Sequence, residues 1–447
     1  MSFPFTLQNP VEHGGAPPAR TGIVVIGGGV IGVSTALYLA RAGHAVALLE
    51  KGRIAAEQSS RNWGWIRVQG RDMAEIPVAQ EAQRLWQELE RDCKGRLGLR
   101  EMGVHYLTHS EKSLANYASW LDAARAHGVT SRLLSRQQIA ETLPGARSDW
   151  IGGLYTPTDM KAEPWVAVPE LARLAAQEGA RIVERCATRA LDIEAGRVVG
   201  VVTERGRVKA DAVVLAGGAW SALFLRRHGI ALPQLSVRST ACETGPVPQV
   251  TGSAGVDDRM AFRPRDDGGY TLAPSTLSEL YVGPDALRAV TKYLPVLRQG
   301  GFEVKLRARA PEGYPDAWST PRHWSEDAAS PFEAMRILSP EPNREKAEAA
   351  ARAFAESFPE AGAVSVRTAW AGMIDVLPDV VPVVDRVTPL PGLVLATGMC
   401  GHGFGAGPAF GRIAAALATD TEPDHAIDRF RFARFSDGSR IVPGPNL

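Results

Sequence analysis

Apolar positions change period twice within the first fifty residues. A β-branched run at 23–26 is followed by Gly27, Gly28 and Gly29, then by Val33, Ala36, Leu37 and Ala40 at helical spacing up to Gly43. A second apolar run then ends at Glu50. This pattern predicts strand, glycine turn, helix and strand. Val78, Ala82, Leu85, Trp86 and Leu89 predict a helix over 76–93. Leu114, Tyr117, Leu121 and Ala124 predict another over 111–127, stopped by Gly128, and Ser135 caps a short third helix that ends at Leu143-Pro144-Gly145. A fourth over 164–178, carrying Val166, Val168, Leu171 and Leu174, leads to a strand at 181–184. Alternating strands broken at Ala195-Gly196 and Arg205-Gly206 follow, and an apolar run from Asp211 ends at Gly217-Gly218.

Residues 236–345 read as a different body. It has strands at 260–264, 269–274 and 302–307, a helix over 284–298, and a Pro/Trp-rich stretch at 311–331 that is a lid or a surface excursion. An amphipathic helix covers 343–358. The last unit, from Leu393, repeats the logic of the first: a short strand, a glycine-dense loop, and a helix with Pro408 in its first turn. The first nineteen residues read as a loose arm, either free or packed on the body.

The 447 residues suffice for two domains or more, and a net charge of +1 with mixed signs gives no reason to expect nucleic acid or an anionic membrane. No run of eighteen apolar residues occurs and the opening stretch lacks the apolar core of a secretory signal, so a soluble cytoplasmic protein is expected. Cys93, Cys186, Cys242 and Cys400 are far apart with no His pair beside them, which predicts reduced thiols and neither zinc nor disulfides.

Chemistry concentrates at the glycine turns. Gly27, Gly29 and Gly32 have G-x-G-x-x-G spacing between a strand and a helix, with Glu50 twenty-three residues after Gly27. Such glycines let backbone approach a pyrophosphate at a helix N-terminus, and the acid binds ribose hydroxyls. An ADP-containing dinucleotide follows. After Glu50, Ser59, Ser60, Arg61 and Asn62 supply donors, Trp63 and Trp65 flat surfaces, and Arg67 a fixed charge, a set suited to a flavin or substrate wall.

These features, with Ala216-Gly-Gly-Ala-Trp-Ser221, Trp370-Ala-Gly372, Pro378-Asp379 with Pro382, and Gly401-His-Gly-Phe404, resemble the D-amino acid oxidase/sarcosine oxidase superfamily of FAD-dependent amine oxidoreductases from about residue 22 to 420. The resemblance implies an α/β chain: a Rossmann-type, glutathione-reductase-like FAD-binding domain with a second α+β substrate domain on a mixed or antiparallel sheet. The FAD-binding domain would comprise 20–105, 161–235 and 366–435, with a substrate or helical insertion at 106–160 and the substrate domain at 236–365. It implies that the fingerprint Gly27, Gly29 and Gly32 holds the diphosphate, that Glu50 lies at the adenosine ribose, and that Ala187 lies near the adenine. The flavin end falls to Ser60, Arg61, Gly218, Trp220, Gly401, His402, Gly403 and Phe404, with Val30, Ile31, Lys51, Ser59, Asn62, Trp63, Gly217, Gly372 and Gly405 as further cofactor-binding residues.

A carboxylate-bearing substrate needs a guanidinium to orient it, and Arg67, Arg71 and Arg263 are the candidates, Arg67 first. Thr271 and Gly405 stand where fast-reacting sarcosine oxidases carry lysines, and no cysteine falls where that family attaches its flavin, so non-covalent FAD is expected. The expected reaction is oxidation of the C–N bond of an amino acid or N-substituted amino acid to an imine, which water hydrolyses, with oxygen or another acceptor taking the electrons. Alternatives are an NAD(P)H-using flavin hydroxylase and a non-catalytic FAD-binding subunit. A plain NAD dehydrogenase would not explain the second and third glycine turns.

Overall fold

The computed structural model describes residues 3–275, 277–299 and 303–445. The opening pattern forms the centre of a six-stranded sheet. Ile23–Ile26 is buried along its whole length and pairs in parallel with Val46–Leu49 on one side and Ala212–Leu215 on the other. Burial on both faces is the reason its sequence runs apolar without alternation. Arg181–Val183 closes one edge; Leu393–Thr397 and the antiparallel Val383–Arg386 close the other.

Helices Val30–Arg41 and Gly403–Ala418 lie against each other on one face. Two glycines permit this approach: a Cβ at Gly411 would come 2.4 Å from Ser34 Cβ, and one at Gly407 would come 2.6 Å from Val30 Cγ2. The three-stranded antiparallel meander of Thr188–Glu194, Arg197–Thr203 and Gly206–Lys209 covers the other face. Three glycine turns, after Ile26, Leu215 and Thr397, therefore sit side by side at the carboxyl ends of adjacent parallel strands, where open α/β sheets bind ligands.

The second sheet has ten strands. Leu235–Thr244 is its spine, with Val366–Val376 along one side and both Leu277–Tyr281 and Tyr270–Ala273 along the other. Val104–Thr108, Gly152–Thr156 and Arg132–Ser135 extend it, so residues 106–160, read from sequence as helices, carry sheet strands between them. Leu235–Thr244 escaped the sequence reading because it buries Thr240, Glu243 and Thr244 beside Ala241 and Cys242, leaving no simple alternation. Val366–Val376, placed by sequence in the last FAD-binding segment, is likewise a strand of this larger sheet.

Other expectations also change in three dimensions. The arm packs: Glu184 accepts hydrogen bonds from Glu12 and His13 N–H, and Phe3 sits edge-on to Trp165 under the Arg61 guanidinium, 4.1 Å from its ring centroid. Val166 faces outward. Pro408 falls in the second turn of its helix because that helix begins at Gly403. Residues 311–330 form turns without a strand or helix, as their lack of periodicity predicts, and Pro331 opens the short helix Pro331–Ala334; Phe302 of the expected 302–307 strand lies outside the described residues.

Candidate active site

A cavity of about 380 Å³ runs from the first glycine turn to the second sheet, between the two helix N-termini. At its first end the wall is largely backbone. The opening amides of Val30–Arg41 have no intrahelical acceptor, and the Val30 N–H is held by Ser59 Oγ at 2.8 Å. Gly27 adopts φ +109°, and a Cβ there would lie 2.4 Å from the Ala216 carbonyl oxygen; one on Gly32 would lie 2.0 Å from Gly27 O. Glu50 accepts from Gly28 N (2.7 Å) and Gly52 N (2.6 Å), and burial pushes its carboxyl up to about 7 despite Lys51 and those two amides.

Next along the wall, Glu57 organises side chains that the sequence reading did not connect. It accepts from Lys51 Nζ (2.7 Å), Trp220 Nε1 (2.9 Å) and Leu338 N (3.1 Å), and Lys51 lies 4.2 Å from the Trp220 ring centroid.

The far end is made of charged side chains. Asp159, fully buried, accepts from Val68 N (2.7 Å), and the Trp120 indole donates to Arg71 O (2.9 Å), so the loop carrying both arginines is braced by distant parts of the chain. Arg67 donates to Gln69 O and lies over the Tyr106 ring. Arg71 is 2% exposed, donates through Nε to Arg67 O, and leaves Nη1 buried without a partner. Neither arginine has a carboxylate at ion-pair distance among the described residues. Burial, and then the charge of Arg67, pulls Arg71 down to about 9.

Beside them His402 Nδ1 lies 3.0 Å from Glu75 Oε2. Burial and Arg71 lower the imidazole to about 4. Burial opposes ionisation of Glu75, but His402, Arg71 and Arg67 outweigh it and hold that carboxyl below the usual range. At neutral pH the cluster is therefore two guanidinium cations, one carboxylate and a neutral ring, a net charge of +1.

Most residues singled out from sequence line this cavity: Gly27, Gly29, Val30, Ile31, Glu50 and Lys51; Ser59, Arg61, Asn62, Trp63, Arg67 and Arg71; Gly217, Gly218, Trp220 and Gly372; and Gly401 through Phe404. Six do not. Gly32 packs helix on strand. Ser60 donates to Glu57 O and accepts from Trp165, and Ala187 gives its N–H to Glu204, leaving Thr188 at the wall.

Gly405 is pressed against the next segment: a Cβ would meet Trp65 O at 3.0 Å and Ile66 Cα at 3.1 Å, so a lysine has no room there. Arg263, expected as a carboxylate clamp, instead forms a buried two-point pair with Glu163 (2.9 and 3.1 Å). Thr271 accepts from Arg263 Nη2 and does not face the cavity. Those two belong to outer strands, whereas the cavity roof is formed by Ser239, Thr240 and Ala241 on the spine and Gly372 and Ile374 on its neighbour. Asp375 was also missed. It accepts from Gly398 N (2.9 Å) and keeps Oδ1 buried without a partner.

The donor set fits a dinucleotide with a polar heterocycle. Arg61 Nη2, Trp65 Nε1, Arg71 Nη1, Thr188 Oγ1 and Asp375 Oδ1 are all buried without partners, and all belong to cavity-lining residues. Polar atoms are rarely left so, and five around one space point to a ligand rich in hydrogen-bonding groups. Residues 22–417 match the family described as FAD dependent oxidoreductase, DAO. The chain belongs to this family.

The fold agrees with this membership. The structure of L-amino acid deaminase from Proteus myxofaciens in complex with anthranilate superposes with a TM-score of 0.89 at 28% identity, covering 97% of each chain. Sarcosine oxidase subunit beta of Rhizobium meliloti (strain 1021) is 27% identical over 95% of this chain and 91% of its own length. D-amino acid dehydrogenase of Methylobacterium sp. (strain 4-46) is 26% identical over 92% and 99%. The backbone end of the cavity could hold the diphosphate of the family's cofactor, Glu50 its ribose, and the space between Trp220, Gly372 and Gly401–Phe404 its flavin.

Proposed function

We propose that this protein oxidises the C–N bond of an α-amino acid or N-substituted amino acid whose carboxylate is held by Arg71 and Arg67. The single observation behind this reading is the pair of cavity-lining guanidiniums without carboxylate partners at the far end, one of them buried with a free N–H. A buried unpaired cation is costly, and a carboxylate there would supply the missing charge and hydrogen bonds. The names of the three relatives support the same substrate class.

Bound FAD supplies the acceptor for a hydride from the substrate's α-carbon. The chain contributes position and charge. Arg71, fixed by its contact with Arg67 O and by the indole of Trp120, sets the carboxylate. The N-terminus of Gly403–Ala418, with its unpaired amides, favours negative charge where the flavin's pyrimidine edge would rest.

The test is the visible spectrum of the purified yellow protein, titrated anaerobically with D-, L- and N-methyl amino acids. Bleaching by one class is expected, and readmitted air then separates oxidase from dehydrogenase. Bleaching by NAD(P)H alone would refute the reading in favour of a hydroxylase.

A further inference from the structure

A hydride can leave the α-carbon of an amino acid only when the nitrogen carries a free electron pair, yet amino acids in neutral water are ammonium zwitterions. A proton must therefore go somewhere before oxidation. Neither guanidinium can take it. Of the carboxyls on the wall, Glu50 is held by the Gly28 and Gly52 amides, Glu57 by Lys51 and Trp220, and Asp375 accepts through Oδ2 from Gly398 N and the Gln234 amide while its Oδ1 is buried.

His402 is the remaining candidate. It is the N-cap of the last helix but makes no side-chain cap, so its ring is free for another use. The ring lines the cavity, and its Nδ1 is held by the buried Glu75. With Glu75 ionised, the proton of the neutral ring sits on Nδ1, and Nε2 is left as an acceptor with no hydrogen bond among the described residues. The groups that face this pair are Arg71 and Arg67 from the loop before Glu75, with Cys400 of the last glycine turn beside Glu75.

Resting on the amino-acid reading above, we infer that His402 Nε2 takes the ammonium proton of the bound substrate and that Glu75 is the positioning carboxylate that steadies the resulting imidazolium. One N–H bond of the ammonium breaks, its electron pair stays on the substrate nitrogen, and one N–H bond forms at Nε2. No electrons leave the substrate in this step. The arrangement is a carboxylate behind an imidazole, the same division of labour as in other acid–base pairs, where the carboxylate fixes the tautomer and balances the charge. Burial is the larger cause of the ring's lowered basicity, and a substrate carboxylate seated on the two arginines offsets the part that their charge adds. Binding would therefore prepare the acceptor.

The experiment is anaerobic flavin reduction between pH 6 and 10 in the wild-type holoprotein and in His402→Asn and Glu75→Gln. Asparagine keeps an N-cap residue, and glutamine keeps an acceptor for Nδ1–H. The expected result is a reduction rate for His402→Asn about 100-fold or more below wild type at pH 7. That rate should rise roughly tenfold per pH unit until it nears wild type where the substrate amine is itself deprotonated. Glu75→Gln should fall between the two.

A deficit that stays constant across pH would show a structural role and overturn the inference, as would no deficit at all. A wild type that no amino acid reduces would instead refute the parent reading. A second measurement does not depend on turnover. Holoprotein labelled with ¹⁵N-histidine is titrated with 2-aminoisobutyrate, which carries ammonium and carboxylate but no α-hydrogen. The resonance missing from His402→Asn should move from a neutral to an imidazolium shift. A ring that stays neutral while the flavin absorbance registers binding would overturn the inference.

Discussion

The two ends of the cavity are built from different materials. The end at the first glycine turn is backbone: glycines whose missing side chains permit contacts of 2.0 to 2.4 Å from a hypothetical Cβ, and a helix N-terminus whose first amide is held by Ser59 and whose next amides have no intrahelical acceptor. The far end is side chain: Arg71 and Glu75, buried, with Arg67 and His402, half-buried, and the set only partly paired. Backbone sites are stable without their ligand, since an unpaired amide at a helix end can meet water. Buried unpaired charge is not, so the far end stores instability that a carboxylate would relieve.

Substitutions at the two ends should therefore move stability in opposite directions. Arg71→Met is expected to lower the second-order rate of flavin reduction about 1000-fold, about 4 kcal/mol, while raising the thermal midpoint of the ligand-free protein. A variant that loses both rate and stability would erase the contrast. Gly32→Ala should do the reverse. Its Cβ would sit 2.0 Å from a carbonyl oxygen of the turn, so it should cost about 3 kcal/mol of stability and yield colourless protein, read by melting and by the flavin absorbance.

Arg263 tests whether the far end is special among buried charges, because it has the partner that Arg71 lacks. Arg263 and Lys161 outweigh the effect of burial and hold the Glu163 carboxyl at about 2. An acid whose folded value is depressed contributes stability above its unfolded value near 4.5 and loses it as pH falls from there toward 2. Arg263→Met should remove up to about 3 kcal/mol at pH 7 and flatten the acid limb of stability, with flavin reduction unchanged.

The smallest effect is expected at Glu50. Burial places it at about 7, and ribose hydroxyls donate best to the ionised form. Binding FAD should therefore release a proton, and affinity should be full above pH 7 and weaken as pH falls below it, roughly tenfold between pH 8 and 6. Glu50→Gln should remove that dependence in a fluorescence titration of FAD. A pH-independent affinity in the wild type would remove Glu50 from the ribose.

The same division explains which parts were legible in the chain. The glycine turns announced themselves because only glycine fits there, and each follows a short apolar strand and precedes a helix. Arg67, singled out because it follows the Ser59–Trp65 segment without a break, lines the cavity. Arg263 and Thr271 were misjudged because a strand's place in a ten-stranded sheet, not its own sequence, decides whether it roofs the cavity. Glu57, Glu75 and Asp375 gave no local signal, since each looks like an ordinary surface acid until the fold buries Glu75 and Asp375 and brings Lys51 and Trp220 to Glu57.

What the sequence alone determined was the parallel sheet with its three glycine turns, and with it the cofactor class, because short-range backbone sterics leave few alternatives to glycine at those positions. Only the tertiary structure decided which charges meet. Glu75 and His402 are 327 positions apart and Arg263 and Glu163 are 100 apart, and the pairing of such groups depends on how two sheets close over one cavity, which no local pattern encodes.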